Sequence, residues 1–218
     1  MTDDALIDGR GLRLVRGGRE LLGGLDLHLT QGERLFVLGP SGAGKTTLLH
    51  ALLGFVPFAA GSLSVFGQAR SRERDFAPLR GPLGLLFQDA GDQLFGPTVA
   101  EDVAFGPLNL GASASDAAAI AATQLDRLGI ARLADRPVQA LSGGEQRLAA
   151  LAGVLAMRPR VLLLDEPTNG LDAGATERLL AALAETGLSM IVASHDPVCV
   201  AALASRRIEL RDATHAGC

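Results

Sequence analysis

The 218-residue chain has no tyrosine and no tryptophan, and its aromatic residues are eight phenylalanines. A stacking platform built on an indole or a phenol ring is thereby excluded. There are two cysteines, Cys199 and Cys218, in no C-x-x-C arrangement, so neither a disulfide framework nor a zinc site is indicated. No apolar run approaches the ~18 residues that a membrane span needs. The opening MTDDALIDGRG is acidic, unlike the basic head of a signal peptide. These absences predict a soluble chain in a reducing cytosol, still free to dock on a membrane protein. The net charge of −4 speaks against a nucleic-acid partner. Lysine is nearly missing as well: of 20 Lys and Arg residues, Lys45 is the single lysine. It stands where a compact, point-like ammonium is wanted rather than a planar guanidinium.

What is present is ample apolar material, 48% of residues, in two patterns. Up to about residue 38 the runs GLRLV, LDLHL and RLFVL read as strands, the first two exposed on one face. GSLSVFG (61–67) reads as another strand and GLLFQ (84–88) as a buried one. TVAEDVAFG opens on a capping box, Thr98 to Glu101, and residues 114–129 form an Ala-rich helix. In the second half, VLLLDEP, SMIVASHD and RRIELRD alternate with the helical stretches TERLLAALAE and DPVCVAALA. Near-continuous apolar strands alternating with helices predict a parallel α/β sheet covered on both faces. No linker or repeat divides the chain. One unit, 1–218, is expected, with a helical insertion at about 98–158.

GPSGAGKTT (39–47) contains G-x-x-x-x-G-K-T between a predicted strand (34–38) and a predicted helix (46–53), the setting of a phosphate-binding loop. Backbone N–H groups of Ser41, Gly42, Ala43, Gly44, Lys45 and Thr46 would cradle phosphates at a helix N-terminus, in a nucleotide-binding loop that Gly39 and Pro40 open. Lys45 would reach the β- and γ-phosphates, the Thr46 hydroxyl would bind Mg²⁺, and Thr47 follows in the first turn. VLLLDE (161–166) places Asp165 and Glu166 at a strand's carboxyl end, the edge where open α/β sheets bind ligands. Asp165 can hold the metal, and Glu166 can polarise a water. The same pair can also be a plain helix cap. Gln88 is either a solvated strand end or a neutral Mg²⁺ ligand. His195 is either a structural histidine or a γ-phosphate contact.

LSGGEQ (141–146) opens a further helix by a capping box, Ser142 to Glu145. Gly143 and Gly144 in its first turn each cost the helix roughly 0.8–1 kcal/mol relative to Ala. One reading is a loose helix entry. The other is backbone kept bare because something approaches it.

GPSGAGKTT, FQ, LSGGE, LLLDEPT, GLD and SHD stand in the order and spacing of an ATP-binding-cassette (ABC) ATPase, and the resemblance covers essentially the whole chain. It implies a P-loop NTPase fold of the ABC type, with a parallel core sheet, an antiparallel N-terminal β-subdomain and a helical insertion. It implies ATP and Mg²⁺, and a second ABC ATPase subunit meeting the first head to tail. By that likeness Ser142, Gly143, Gly144 and Glu145 form the signature that faces the partner's nucleotide. Glu166 is the general base, His195 contacts the γ-phosphate, Thr46, Gln88 and Asp165 hold the metal, and Asp172 lies in the loop joining the two sites.

FQDAGDQLFGPTVAEDVAFGPLNLG (87–111) and LAGVLAMRP (151–159) resemble more narrowly the ATPases of energy-coupling-factor importers, especially the cobalt/nickel group. That likeness implies a peripheral subunit on the cytoplasmic face of the membrane. Its transmembrane partner would dock near Gln88–Phe105, with Leu94, Phe95, Val99 and Phe105 as apolar anchors among Asp89, Asp92, Glu101 and Asp102. Other readings are a cassette of another importer or exporter, a soluble ABC ATPase without a transport role, or a P-loop kinase. The family places an aromatic residue near the end of the first strand to stack on adenine. Here Arg16 stands there, with Val15 beside it, and an Arg plane can stack on a base. The family's Arg three residues after the signature glutamate is Leu148, with Arg147 next to it as a substitute. His215 and Cys218 in the tail HAGC are read as flexible tail rather than a metal pair.

Overall fold

A computed structural model describes residues 5–210. The tail residues His215 and Cys218 lie outside the described residues. Two sheets are present. The first is antiparallel, with β1 (Ala5–Arg16), β2 (Arg19–Thr30), β4 (Ala60–Val65) and β5 (Gln68–Arg70) in the order β2-β1-β4-β5. The second is parallel, with β3 (Arg34–Leu38), β6 (Leu83–Leu86), β7 (Val161–Asp165), β8 (Ser189–Ala193) and β9 (Arg206–Glu209) in the order β6-β7-β8-β3-β9. Around them lie α1 (Lys45–Leu52), α2 (Glu73–Phe76), α3 (Val99–Asn109), α4 (Ala114–Arg127), α5 (Gly143–Ala156), α6 (Ala173–Glu185) and α7 (Pro197–Leu203). No helix among the described residues is long and apolar enough to cross a membrane.

The apolar runs of the parallel strands are explained by burial on both faces. Phe36, Leu162, Leu164, Met190 and Val192 join one core cluster with side chains from α3 to α7. Their neighbours Leu35, Val37, Val161, Leu163 and Ile191 point the other way, into a second cluster with α1 and the antiparallel sheet. The period of two along each strand thus divides one apolar segment between two cores.

The short runs GLRLV and LDLHL lie within two strands of 12 residues each. They pair through a turn at Gly17 and Gly18, both with positive φ (60° and 77°), the geometry that lets a two-residue hairpin follow strand twist. β5 and α2 were not expected from the sequence. β5 follows β4 after a second tight turn, Phe66–Gly67, where the non-glycine Phe66 also has positive φ (53°). α5 starts at Gly143, two residues earlier than its Leu/Ala-rich stretch begins.

Candidate functional site

The carboxyl ends of β3, β6, β7 and β8 bring the motifs together. β3 delivers Gly39, whose φ of 146° suits glycine. A Cβ there would lie 2.8 Å from the Leu210 carbonyl oxygen. Gly44 (φ 92°) closes the loop as the N-cap of α1. Lys45 turns back under the loop. Its Nζ donates to the carbonyl oxygens of Gly39 (2.8 Å) and Pro40 (3.2 Å) and lies 3.7 Å from Glu166 Oε1. A buried ammonium requires such partners, and this one is held pointing into the loop. Ala43 is the member of the motif that stays out of the cavity. Its N–H donates to the Pro40 carbonyl, and its side chain is buried.

Asp165 ends β7, is buried, and is hydrogen-bonded to the Thr46 side chain. Burial raises its pKa; the Thr46 bond partly offsets this, and neighbouring Glu166 adds to the rise. Its Oδ1 has no hydrogen-bond partner. An orphaned carboxylate oxygen beside a hydroxyl is a donor set that suits a hard cation. The next residue, Glu166, has φ 43°, a left-handed backbone costing about 1–2 kcal/mol in a non-glycine residue. Its N–H donates to the Ala193 carbonyl at 2.8 Å, pinning the turn to β8. From there the carboxylate meets His195, with Oε1 2.8 Å from Nδ1 and Oε2 accepting the His195 N–H at 3.4 Å. Strain of this kind gathers at functional sites. The imidazole itself is 71% exposed and faces the cavity.

The cavity has a volume of about 630 Å³. Pro40, Ser41, Gly42, Thr46 and Thr47 line it, as do Gln88, Glu166 and His195, as the motifs predict, and Arg16 reaches it from the end of β1. Leu21 and Asn169 also line it and were not singled out from the sequence. Arg147 is a further residue that the sequence underrated. Its buried guanidinium donates to the carbonyl oxygens of Phe87 (2.7 Å), Gln88 (2.7 Å) and Asn169 (3.3 Å). It therefore ties α5 to both the loop after β6 and the loop after β7. Burial works against its charge, and nearby Asp89 and Asp165 offset that cost.

The LSGGE segment is elsewhere. Ser142, Gly143, Gly144, Glu145 and Asp172 line a separate cavity of about 530 Å³ that shares no lining residue with the first. The capping box is complete: Ser142 Oγ accepts from the Glu145 N–H (3.4 Å), and Glu145 Oε2 accepts from the Ser142 N–H (3.1 Å). That backbone bond, with help from Arg132 3.1 Å away, holds the Glu145 carboxyl below the usual range. The two glycines differ. A Cβ on Gly144 would meet Ala175 Cβ of α6 at 3.0 Å, whereas one on Gly143 would meet nothing within 4 Å. Asp172 caps α6, accepting the Ala175 N–H at 2.7 Å.

The expected docking anchors are partly corrected. Phe95 and Phe105 are exposed (61% and 45%) and pack edge to face, 4.6 Å between centroids. Val99 is fully buried, because it starts the apolar stripe of α3 that Val103 continues one turn on. Asp102 is buried too; its Oδ1 accepts the N–H groups of Phe95 (2.8 Å) and Gly96 (2.7 Å). It holds the loop that presents Phe95 rather than facing a partner. Asp102→Ala leaves one buried and one half-buried donor unpaired and should cost about 3 kcal/mol, lowering the melting temperature by about 6–12 °C. Calorimetry checks this; an unchanged transition would show that water replaces the carboxylate without loss.

Residues 22–169 match the family model for ABC transporters. The chain is 53% identical over 199 residues to an uncharacterized ABC transporter ATP-binding protein of Haemophilus influenzae, covering 91% of this chain and 92% of that one. It is 48% identical over 194 residues to the cobalt import ATP-binding protein CbiO of Rhodobacter capsulatus, covering 87% and 69%. Among solved structures, CbiO1 of Clostridium perfringens, part of the ABC transporter complex CbiONQ, superposes with a TM-score of 0.86. The two are 31% identical over 95% of this chain and 85% of that one. A dimeric ATP-binding cassette in a post-hydrolysis state with ADP and Pi gives a TM-score of 0.84 at 25% identity, over 94% of both chains.

Proposed function

We propose that this chain, which belongs to the ABC transporter family and hydrolyses ATP to drive transport, is the ATPase subunit of an energy-coupling-factor type importer for transition-metal ions, cobalt or nickel. It acts as a single cassette over residues 1–218, with residues 98–158 as its helical part, on the cytoplasmic face of the membrane. The CbiO relative and the CbiONQ neighbour support the metal and the transmembrane partner.

The observation that carries the two-subunit reading is the separation of the two cavities, with Gly143 bare toward open space. A chain whose own loop at Gly39–Thr47 holds one nucleotide has its LSGG segment turned to another. The post-hydrolysis cassette with ADP and Pi is dimeric, which supports a second subunit.

In the proposed reaction the triphosphate lies on the loop, with its charge met by the α1 N-terminus and by Lys45. Thr46, Gln88 and Asp165 would hold Mg²⁺, which would supply charge neutralisation to the phosphates. Glu166 orients a water and takes its proton, from the position its left-handed backbone fixes. His195, held by Glu166, turns its free edge to the γ-phosphate. Ser142, Gly143 and the α5 N-terminus close the same phosphate of the partner subunit. Arg147 keeps Gln88 in register with α5.

The test is co-purification from membranes with identification of the bound subunits, followed by nickel and cobalt uptake. An isolated chain with no membrane partner and no effect on uptake would overturn the reading. Phe95→Ala should leave ATP hydrolysis by the isolated subunit within about twofold of wild type, since an exposed surface side chain away from the chemistry has little effect on it. It should abolish partner-coupled uptake; uptake at the wild-type rate would move the docking site elsewhere.

A further inference from the structure

The β1–β2 hairpin brings two side chains to the phosphate cavity, Arg16 and Leu21. Leu21 is seated on the phosphate loop itself: a Cβ on Gly44 would lie 3.3 Å from Leu21 Cβ. Arg16 immediately precedes the Gly17–Gly18 turn, whose paired positive φ values fix its place. Among the described residues no phenylalanine lines the cavity, the chain has no tyrosine or tryptophan, and the one aromatic ring there, His195, comes from the loop after β8 and not from the hairpin. A base lying against the hairpin meets an aliphatic pad and a guanidinium.

Those two groups do not treat purines alike. A stacked aromatic ring accepts any base, because every base has a π-face. A guanidinium is donor-only, a planar fork of N–H groups. Guanine presents two acceptors side by side, O6 and N7, which match the fork bidentately. On the same edge adenine presents one acceptor, N7, next to an amino donor that the fork repels. We propose that Arg16 gives this site a guanine preference, so that GTP is bound and hydrolysed at least as well as ATP. The inference rests on the phosphate cavity being the nucleotide site.

The test measures equilibrium binding of the non-hydrolysable imido analogues of ATP and GTP, and of tripolyphosphate, all with Mg²⁺, to the wild-type chain and to Arg16→Ala. A bidentate Arg–guanine pair at an exposed position should bind the guanine analogue about three- to tenfold more tightly than the adenine analogue. Arg16 is exposed, so its truncation leaves the fold intact. The variant should bring that ratio to about one and change tripolyphosphate binding by less than twofold. A wild-type ratio favouring adenine, or a ratio that Arg16→Ala does not lower, overturns the guanine preference while the ATPase reading stands. An equal loss for tripolyphosphate assigns Arg16 to the phosphates and overturns it as well. Failure of every ligand to bind a folded chain would remove the nucleotide site and both readings with it.

Discussion

Glu166→Gln should still bind ATP and should hydrolyse it about 10²–10⁴-fold more slowly, the usual contribution of a positioned general base. The substitution is close to isosteric. The amide oxygen can still accept from the His195 backbone N–H, and the bond from the residue 166 N–H to Ala193 is untouched. Removal of the charge also frees Lys45, now 3.7 Å from the Glu166 carboxylate, to turn wholly to phosphate. Binding should therefore hold or tighten while the proton acceptor is gone. With hydrolysis blocked, ATP should accumulate the chain as a closed dimer, visible by size-exclusion chromatography with light scattering. Wild-type turnover by this variant would assign the base to another group. A monomer at saturating ATP–Mg²⁺ with the partner present would count against two shared sites.

The second large effect separates the two glycines of LSGGE. Gly143→Val and Gly144→Val place the same side chain at adjacent positions of the same helix turn, and neither glycine has positive φ. Local propensity is thus closely matched, and the surroundings decide. At position 143 nothing lies within 4 Å of the added Cβ, so the melting temperature should stay within about 2 °C, as for surface substitutions generally. Hydrolysis should fall about 10²–10³-fold, the cost of losing backbone donors at a phosphate, because the valine stands where the partner's nucleotide comes. At position 144 the new side chain is driven into Ala175. Overpacking of about 1–3 kcal/mol should lower the melting temperature by about 2–12 °C. A Gly143→Val chain that hydrolyses ATP normally would show that no phosphate approaches there.

The phosphate loop, the paired acids and the capping box were legible in the sequence because each is local: spacing along a few residues sets the geometry. The parallel sheet was legible because burial on both faces removes polar residues from its strands. The roles of Arg147 and Leu21 were not, since only tertiary packing brings Leu21 to the cavity and Arg147 to the carbonyls of the loops beside it, while Asn169 follows Glu166 in a turn that no motif marks. Arg147 in particular acts on carbonyls some 60 residues away in sequence. Val99 and Asp102 misled for a different reason. Composition shows apolar and acidic residues in one stretch but not which helix face each takes. The four-residue spacing of Val99 and Val103 carried that signal. β5 and α2 escaped because three- and four-residue elements leave no period to read.

Lys45 has one more consequence. It supplies the chain's only side-chain amine, and that amine is buried beneath the phosphate loop on two carbonyl oxygens. The molecule's outer surface therefore offers no lysine to acylating reagents or to lysine-modifying enzymes. Acylation of an ε-amine can therefore strike one place alone, the phosphate cavity that Lys45 lines, so a single chemical label is confined to the site.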